Sequence, residues 1–107
     1  MRSIDYEQFR EFKRHNGATI INVLPAQSFE KTRIPGSINI PHESANFVKE
    51  VEYVIGGKNL PVIVYCASEA CDASKKAATK LDEEGFTDVM CYEGGYKEWN
   101  EKIPKAA

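Results

Sequence analysis

The sequence predicts an α/β protein in which a central, mostly parallel sheet of four to five strands carries helices on both faces. Three observations lead there. Short apolar runs rich in β-branched residues alternate along the chain with segments whose apolar residues recur at helical spacing, the pattern of parallel strands joined by helical crossovers. The run PVIVYC, residues 61–66, lacks the in-out alternation of a half-exposed strand, which places it at the sheet centre with both faces covered. Glycine or proline punctuates most of the junctions.

The elements follow in order. Asp5 can cap a first helix, Gln8 completes a capping box, Ile4 can staple onto Phe9, and Gly17 is expected to end the helix. ATIINV, residues 18–23, is a strand-length apolar run broken by Leu24-Pro25, and PAQSFEK supplies one or two helical turns from Pro25. SINI, residues 37–40, is a second short strand between Pro35-Gly36 and Pro41, neither of which lets it continue. Phe47, Val48, Val51, Val54 and Ile55 form one helical stripe that Gly56-Gly57 stops. After the central strand and a loop, a helix near Ser74 carries Ala77, Ala78 and Leu81 on one face and ends at Gly85. DVMCY, residues 88–92, is a last strand, EGG a turn, and YKEWNEKI a closing helix containing Trp99.

A chain of 107 residues is the size of one domain with one core, and 42% hydrophobic with 28% charged residues is the composition of a globular protein, not of a disordered one. Fourteen Lys and Arg against 16 Asp and Glu leave a net charge of −2, so no overall field favours nucleic acid or an anionic membrane as partner. No apolar run approaches the roughly 20 residues of a membrane span. The start, MRSIDYEQFREFKRH, lacks the apolar segment of a secretory signal, and a cytoplasmic location is the expectation. Three cysteines in a chain with a core do not form a secreted disulfide framework. They are free, metal-bound or catalytic.

Ligands of open α/β sheets bind beyond the carboxyl ends of the strands, and Cys66 stands at the end of the central one. The loop after it enters a helix near Ser74, so unpaired N–H groups and the positive end of the helix dipole can face the sulfur. Such surroundings lower a thiol pKa from about 8.5 toward neutrality and expose a nucleophile. The plainer reading is a small apolar side chain filling space, since free cysteine is often buried.

The sequence resembles the rhodanese-like sulfurtransferases over nearly its whole length. IINV followed by TRIPGSINIP is similar to that family's first strand, Ile-Pro-Gly turn and next strand; PVIVYCAS is similar to its catalytic strand and cysteine; GFTDVMCYEGGYKEW is similar to its closing segment, with Gly94, Gly95 and Trp99 at the expected spacing. The resemblance implies a rhodanese-like fold and an enzyme whose Cys66 accepts a sulfane sulfur as a persulfide and passes it to a thiol or another nucleophile. Donors of that chemistry are thiosulfate, a polysulfide or another persulfide, a sulfur-relay protein among them, and no cofactor or metal is implied. Main-chain donors from Ala67, Ser68, Glu69, Ala70, Cys71, Asp72, Ala73 and Ser74 would hold the anion.

The chain departs from the family's pattern in its loop. With the helix starting at Ser74 the loop runs from Cys66 to Ala73 and contains no Arg, Lys or Gly, whereas the family's is shorter and often has a cation. Glu69 and Asp72 oppose a dianionic substrate and tend to raise the thiol pKa, which disfavours a phosphatase and thiosulfate alike. Lys75 and Lys76 offset this in part. Asn22 and Leu24 stand where the family often has Asp and Arg, and Arg33 where it has His. Arg33 is either a substitute cation at the site or a solvated loop residue.

Cys71, five positions after Cys66, resolves the persulfide, relays the sulfur onward or is an exposed bystander. Zinc would need further ligands from Cys91, His15 and His42. Cys91 reads as core filling, His15 as the end of the first helix, and His42 lies in a connection near the active face. The expected function is a Cys66 sulfurtransferase with Cys71 as assistant. The rivals are a non-catalytic sulfur-carrier or interaction module and a Cys66/Cys71 dithiol redox protein.

Overall fold

The computed structural model describes residues 1–104. Its elements are β1 (Arg2–Ile4), α1 (Tyr6–Arg14), β2 (Thr19–Asn22), α2 (Ala26–Thr32), β3 (Ile38–Asn39), α3 (Phe47–Ile55), β4 (Val62–Tyr65), α4 (Ala73–Glu83), β5 (Val89–Tyr92) and α5 (Gly95–Lys102). The strands form one five-stranded sheet in the order β1-β5-β4-β2-β3, parallel throughout. The missing alternation in VIVY has its cause here: β4 is central and all of its residues are buried.

Successive side chains of a strand point to opposite faces, and the core divides accordingly. Val62, Val64 and Cys66 pack on one face with Ile21, Cys91 and the inner sides of α3 and α4. Ile63 and Tyr65 pack on the other with Ile20, Met90, Tyr92 and residues of α1, and Tyr96 and Trp99 of α5 lie against them. Tyr65 fixes that allocation, because its buried hydroxyl donates to Thr32 O (2.9 Å) and accepts from Ile34 N–H (3.0 Å). A slip of one residue would break both bonds and turn Cys66 to the wrong face.

The capping box forms as expected: Asp5 Oδ1 accepts from Gln8 N–H and Gln8 Oε1 accepts from Asp5 N–H, each at 2.9 Å. Two expectations are corrected and one strand is added. Residues 2–4, which no expectation placed in the sheet, are an edge strand in register with Met90–Tyr92, an element too short to show a period of its own. Asn16, not Gly17, takes the left-handed position after α1 (φ 51°), a conformation asparagine tolerates. The helix after Cys66 starts at Ala73 with Asp72 in the cap position, so the loop ends at Asp72, one residue earlier than expected. The left-handed stops at Gly56 and Gly85 are as expected.

Candidate active site at the end of β4

Cys66 is the first residue past β4, and the two segments that converge on it fix its surroundings. One is the turn before α5. Tyr96 N–H donates to Cys66 O (3.0 Å) and Lys97 N–H to Ala67 O (2.9 Å), so the opening amides of α5 bind the first two carbonyls of the loop and hold them toward that helix. Only glycine permits this approach. A Cβ on Gly95, which sits at φ +65°, would lie 2.5 Å from Cys66 O and 3.0 Å from Ser68 N. The other segment is the start of α4, where Ser74 is buried beside the sulfur.

The Cys66 thiol is 1% exposed. Its Sγ lies 3.2 Å from Cys71 O, 3.3 Å from Ser74 Oγ and 4.0 Å from Ser68 O. A thiol has one proton, and the short contact to Cys71 O is its best use; the Ser74 hydroxyl can then donate to the sulfur. Burial pushes the Cys66 thiol above its ordinary pKa, and a hydrogen bond with the Cys71 thiol adds to this, while the Ser74 hydroxyl and N–H pull the other way. The expectation of a lowered pKa is thereby corrected. The loop folds two carbonyls, those of Cys71 and Ser68, toward the sulfur, and only Ser74 carries the influence of the helix start.

An acid whose pKa is raised by folding is less ionised than its free counterpart at every pH near neutrality. Peptide-resolved alkylation of Cys66 by iodoacetamide is therefore expected to keep accelerating above about pH 8.5, where a free thiol is half ionised, with no plateau near pH 7. A plateau there would show a low-pKa thiolate. The same sign governs stability. Cys66 and Cys91 are both raised by burial, so unfolded thiols ionise first and stability falls as pH climbs through the alkaline thiol range.

Cys91 adds a contact that sequence reasoning missed. It lies on β5 in register with Val64, fully buried, and its thiol donates to Ser74 Oγ at 3.4 Å. The Ser74 hydroxyl thus stands between two buried sulfurs. The available signal was Ser74 itself, a polar residue on the same buried face as Ala77, Ala78 and Leu81.

The remaining candidates spread around the rim. Ala67 and Ser68 are half-buried, Glu69, Ala70 and Asp72 exposed, Ala73 buried. Glu69 lines an open cavity of about 610 Å³ with Glu98, Glu101, Lys97 and Lys102, next to the loop but without Cys66 in its wall. Lys75 is paired with Glu93 (3.0 Å), outside the loop, while Lys76 pairs with Asp72 (3.8 Å) and so offsets that acid of the loop. Arg33 is not brought to the site. It is exposed, with its guanidinium 4.6 Å over the Phe29 ring, the arrangement of a surface residue. Asn22 is structural as well: its amide donates to Thr32 O (3.2 Å) and its Oδ1 accepts from Leu24 N–H (3.0 Å). Among the described residues no group of three or more His, Cys, Asp or Glu is placed to hold a metal ion.

A parallel sheet with a cysteine past its central strand, against the start of the following helix, places a thiol where proteins of the open α/β class bind their ligands. Comparison with known proteins makes it specific. The family model for the rhodanese-like domain matches residues 5–102. The thiosulfate sulfurtransferase GlpE of Pseudomonas syringae is 31% identical over 93 residues, covering 86% of this chain and 81% of that protein. GlpE of Pseudomonas aeruginosa PAO1 is 31% identical over 99 residues, covering 92% and 83%. The human single-domain sulfurtransferase TSTD1 superposes with a TM-score of 0.80 at 18% identity over 95% of this chain and 97% of its own, a likeness of fold. The chain belongs to the rhodanese-like domain family, and it is a sulfurtransferase.

Proposed function

We propose that Cys66 is the sulfur acceptor and that the donor is a persulfide, or an organic hydropolysulfide, of low charge rather than thiosulfate. The observation that carries the reading is the position of Cys66 beyond the central strand, with the N–H and hydroxyl of Ser74 on its sulfur. The thiol at rest donates to Cys71 O; as a thiolate it can donate nothing, and the 3.2 Å contact to a carbonyl becomes repulsive. Sulfur uptake thus requires the exposed Glu69–Ala70 part of the loop to turn that carbonyl away. The Ser74 hydroxyl then donates to the anion. Cys66 thiolate attacks the outer sulfur of the donor, the donor's remainder leaves as a thiolate or shorter polysulfide, and a thiol acceptor later takes the sulfur from the persulfide.

The choice of donor rests on charge. Thiosulfate, the substrate in the name of the Pseudomonas relatives, is a dianion, and here the loop after Cys66 carries the exposed carboxylate of Glu69, with Lys75 paired to Glu93. In rapid-quench mass spectrometry, an alkyl persulfide of low charge such as cysteamine persulfide is expected to add about 32 Da at Cys66, one sulfur atom. Thiosulfate is expected to label at least about fivefold more slowly at low ionic strength, with the gap narrowing as salt screens the loop acids. Absence of an adduct at Cys66 refutes the acceptor role, and faster labelling by thiosulfate at low salt refutes the choice of donor.

A further inference from the structure

The loop after Cys66 curls back on the sulfur. Cys71 N–H donates to Ser68 O at 3.0 Å, closing a turn, and Cys71 O comes within 3.2 Å of Cys66 Sγ. The side chain of Cys71 packs against the same core cluster that contains Cys66, so the turn brings both the carbonyl and the thiol of Cys71 to the Cys66 side of the loop. They differ in access, since Cys66 is buried and Cys71 half-buried. Cys91, the other sulfur nearby, is fully buried in a strand and bound to Ser74, with no loop freedom.

Resting on the assignment of Cys66 as sulfur acceptor, we infer that Cys71 resolves the Cys66 persulfide by forming a Cys66–Cys71 disulfide, so that the enzyme also liberates sulfide. The Cys71 sulfur attacks the inner sulfur of Cys66–S–S⁻, the bond between inner and outer sulfur breaks, and the outer sulfur departs as HS⁻ with the Cys71 proton. The two cysteine sulfurs are oxidised to the disulfide, and the sulfane sulfur is reduced to sulfide by the same two electrons. A dithiol reductant closes the cycle. It meets the more accessible Cys71 sulfur first and expels Cys66 as the leaving thiolate, which restores the buried nucleophile and leaves the reductant to finish at Cys71. Until then Cys66 cannot accept sulfur. The loop is therefore a redox gate as well as a cradle, and sulfide formation depends on an external dithiol while transfer to a monothiol competes with ring closure.

The test loads wild type, Cys71→Ser and Cys71→Ala with inorganic polysulfide in the absence of thiols, removes the donor, and follows intact mass and free sulfide. Wild type is expected to pass from the form about 32 Da heavier to one about 2 Da lighter than the reduced protein, releasing sulfide in equal amount, with peptide mapping locating the Cys66–Cys71 link. Both variants are expected to keep the heavier form and release sulfide at least about tenfold more slowly. Persistence of the heavier form in wild type, sulfide release from the variants at the wild-type rate, or a link through Cys91 overturns the resolving role and leaves Cys66 as acceptor. Absence of the heavier form in all three proteins overturns the acceptor role itself, and the resolving role with it.

Discussion

Replacement of Cys66 by serine is expected to reduce sulfur transfer to background, a loss of roughly 10³-fold or more in kcat/KM of the kind seen when a nucleophile is removed. A serine hydroxyl is a far weaker acid than a thiol, and in this surrounding, where burial already disfavours the anion of a thiol, an alkoxide has no measurable population. The substitution separates chemistry from folding. The hydroxyl can donate to Cys71 O and bond Ser74 in place of the thiol, so no buried polar group is stranded, and the urea midpoint should stay close to wild type. Transfer from polysulfide to a small thiol, measured with and without the substitution, decides the matter. Activity within tenfold of wild type would move the nucleophile to another residue.

The second large effect is expected at Gly95, a residue that touches no sulfur. Gly95→Ala places a methyl group 2.5 Å from Cys66 O and 3.0 Å from both Ala67 C and Ser68 N, all main-chain atoms that cannot rotate out of the way. The left-handed φ of +65° costs alanine about 1 kcal/mol, and relieving the overlap costs about 1–3 kcal/mol more. The urea midpoint is expected to fall by about 1–2 M. Activity is expected to fall further than stability explains, because retreat of the Gly95 turn stretches the bonds from Tyr96 N–H and Lys97 N–H that orient the Cys66 and Ala67 carbonyls. Turnover measured well below the unfolding transition separates the two. An alanine variant with wild-type turnover would show that α5 merely packs against the loop without setting its geometry.

Together the two substitutions divide the site by function. Cys66 is the proposed reacting sulfur, while the α5 amides and the α4 serine hold its two sides from distant parts of the chain. Between them the segment from Ser68 to Asp72 carries the acids, the second thiol and the carbonyl that contacts the sulfur. Rigid flanks and a short exposed span suit a site that opens for a donor and closes again over the modified sulfur.

Local periodicity in the sequence was enough to determine the alternation of strands and helices, the central place of VIVY, the stops at Gly56 and Gly85, and the arrival of a cysteine at the end of that strand. Those properties depend on residues within a few positions of one another, where spacing and backbone preference act directly. Only the tertiary structure decided that Arg2–Ile4 completes the sheet, that Cys91 shares Ser74 with Cys66, that Arg33 turns to Phe29, and that the sulfur is buried, which raises its pKa. Strand register, the approach of Gly95 and the direction of each loop peptide are set by partners far along the chain, and burial is a sum over all of them, so no local pattern could record them.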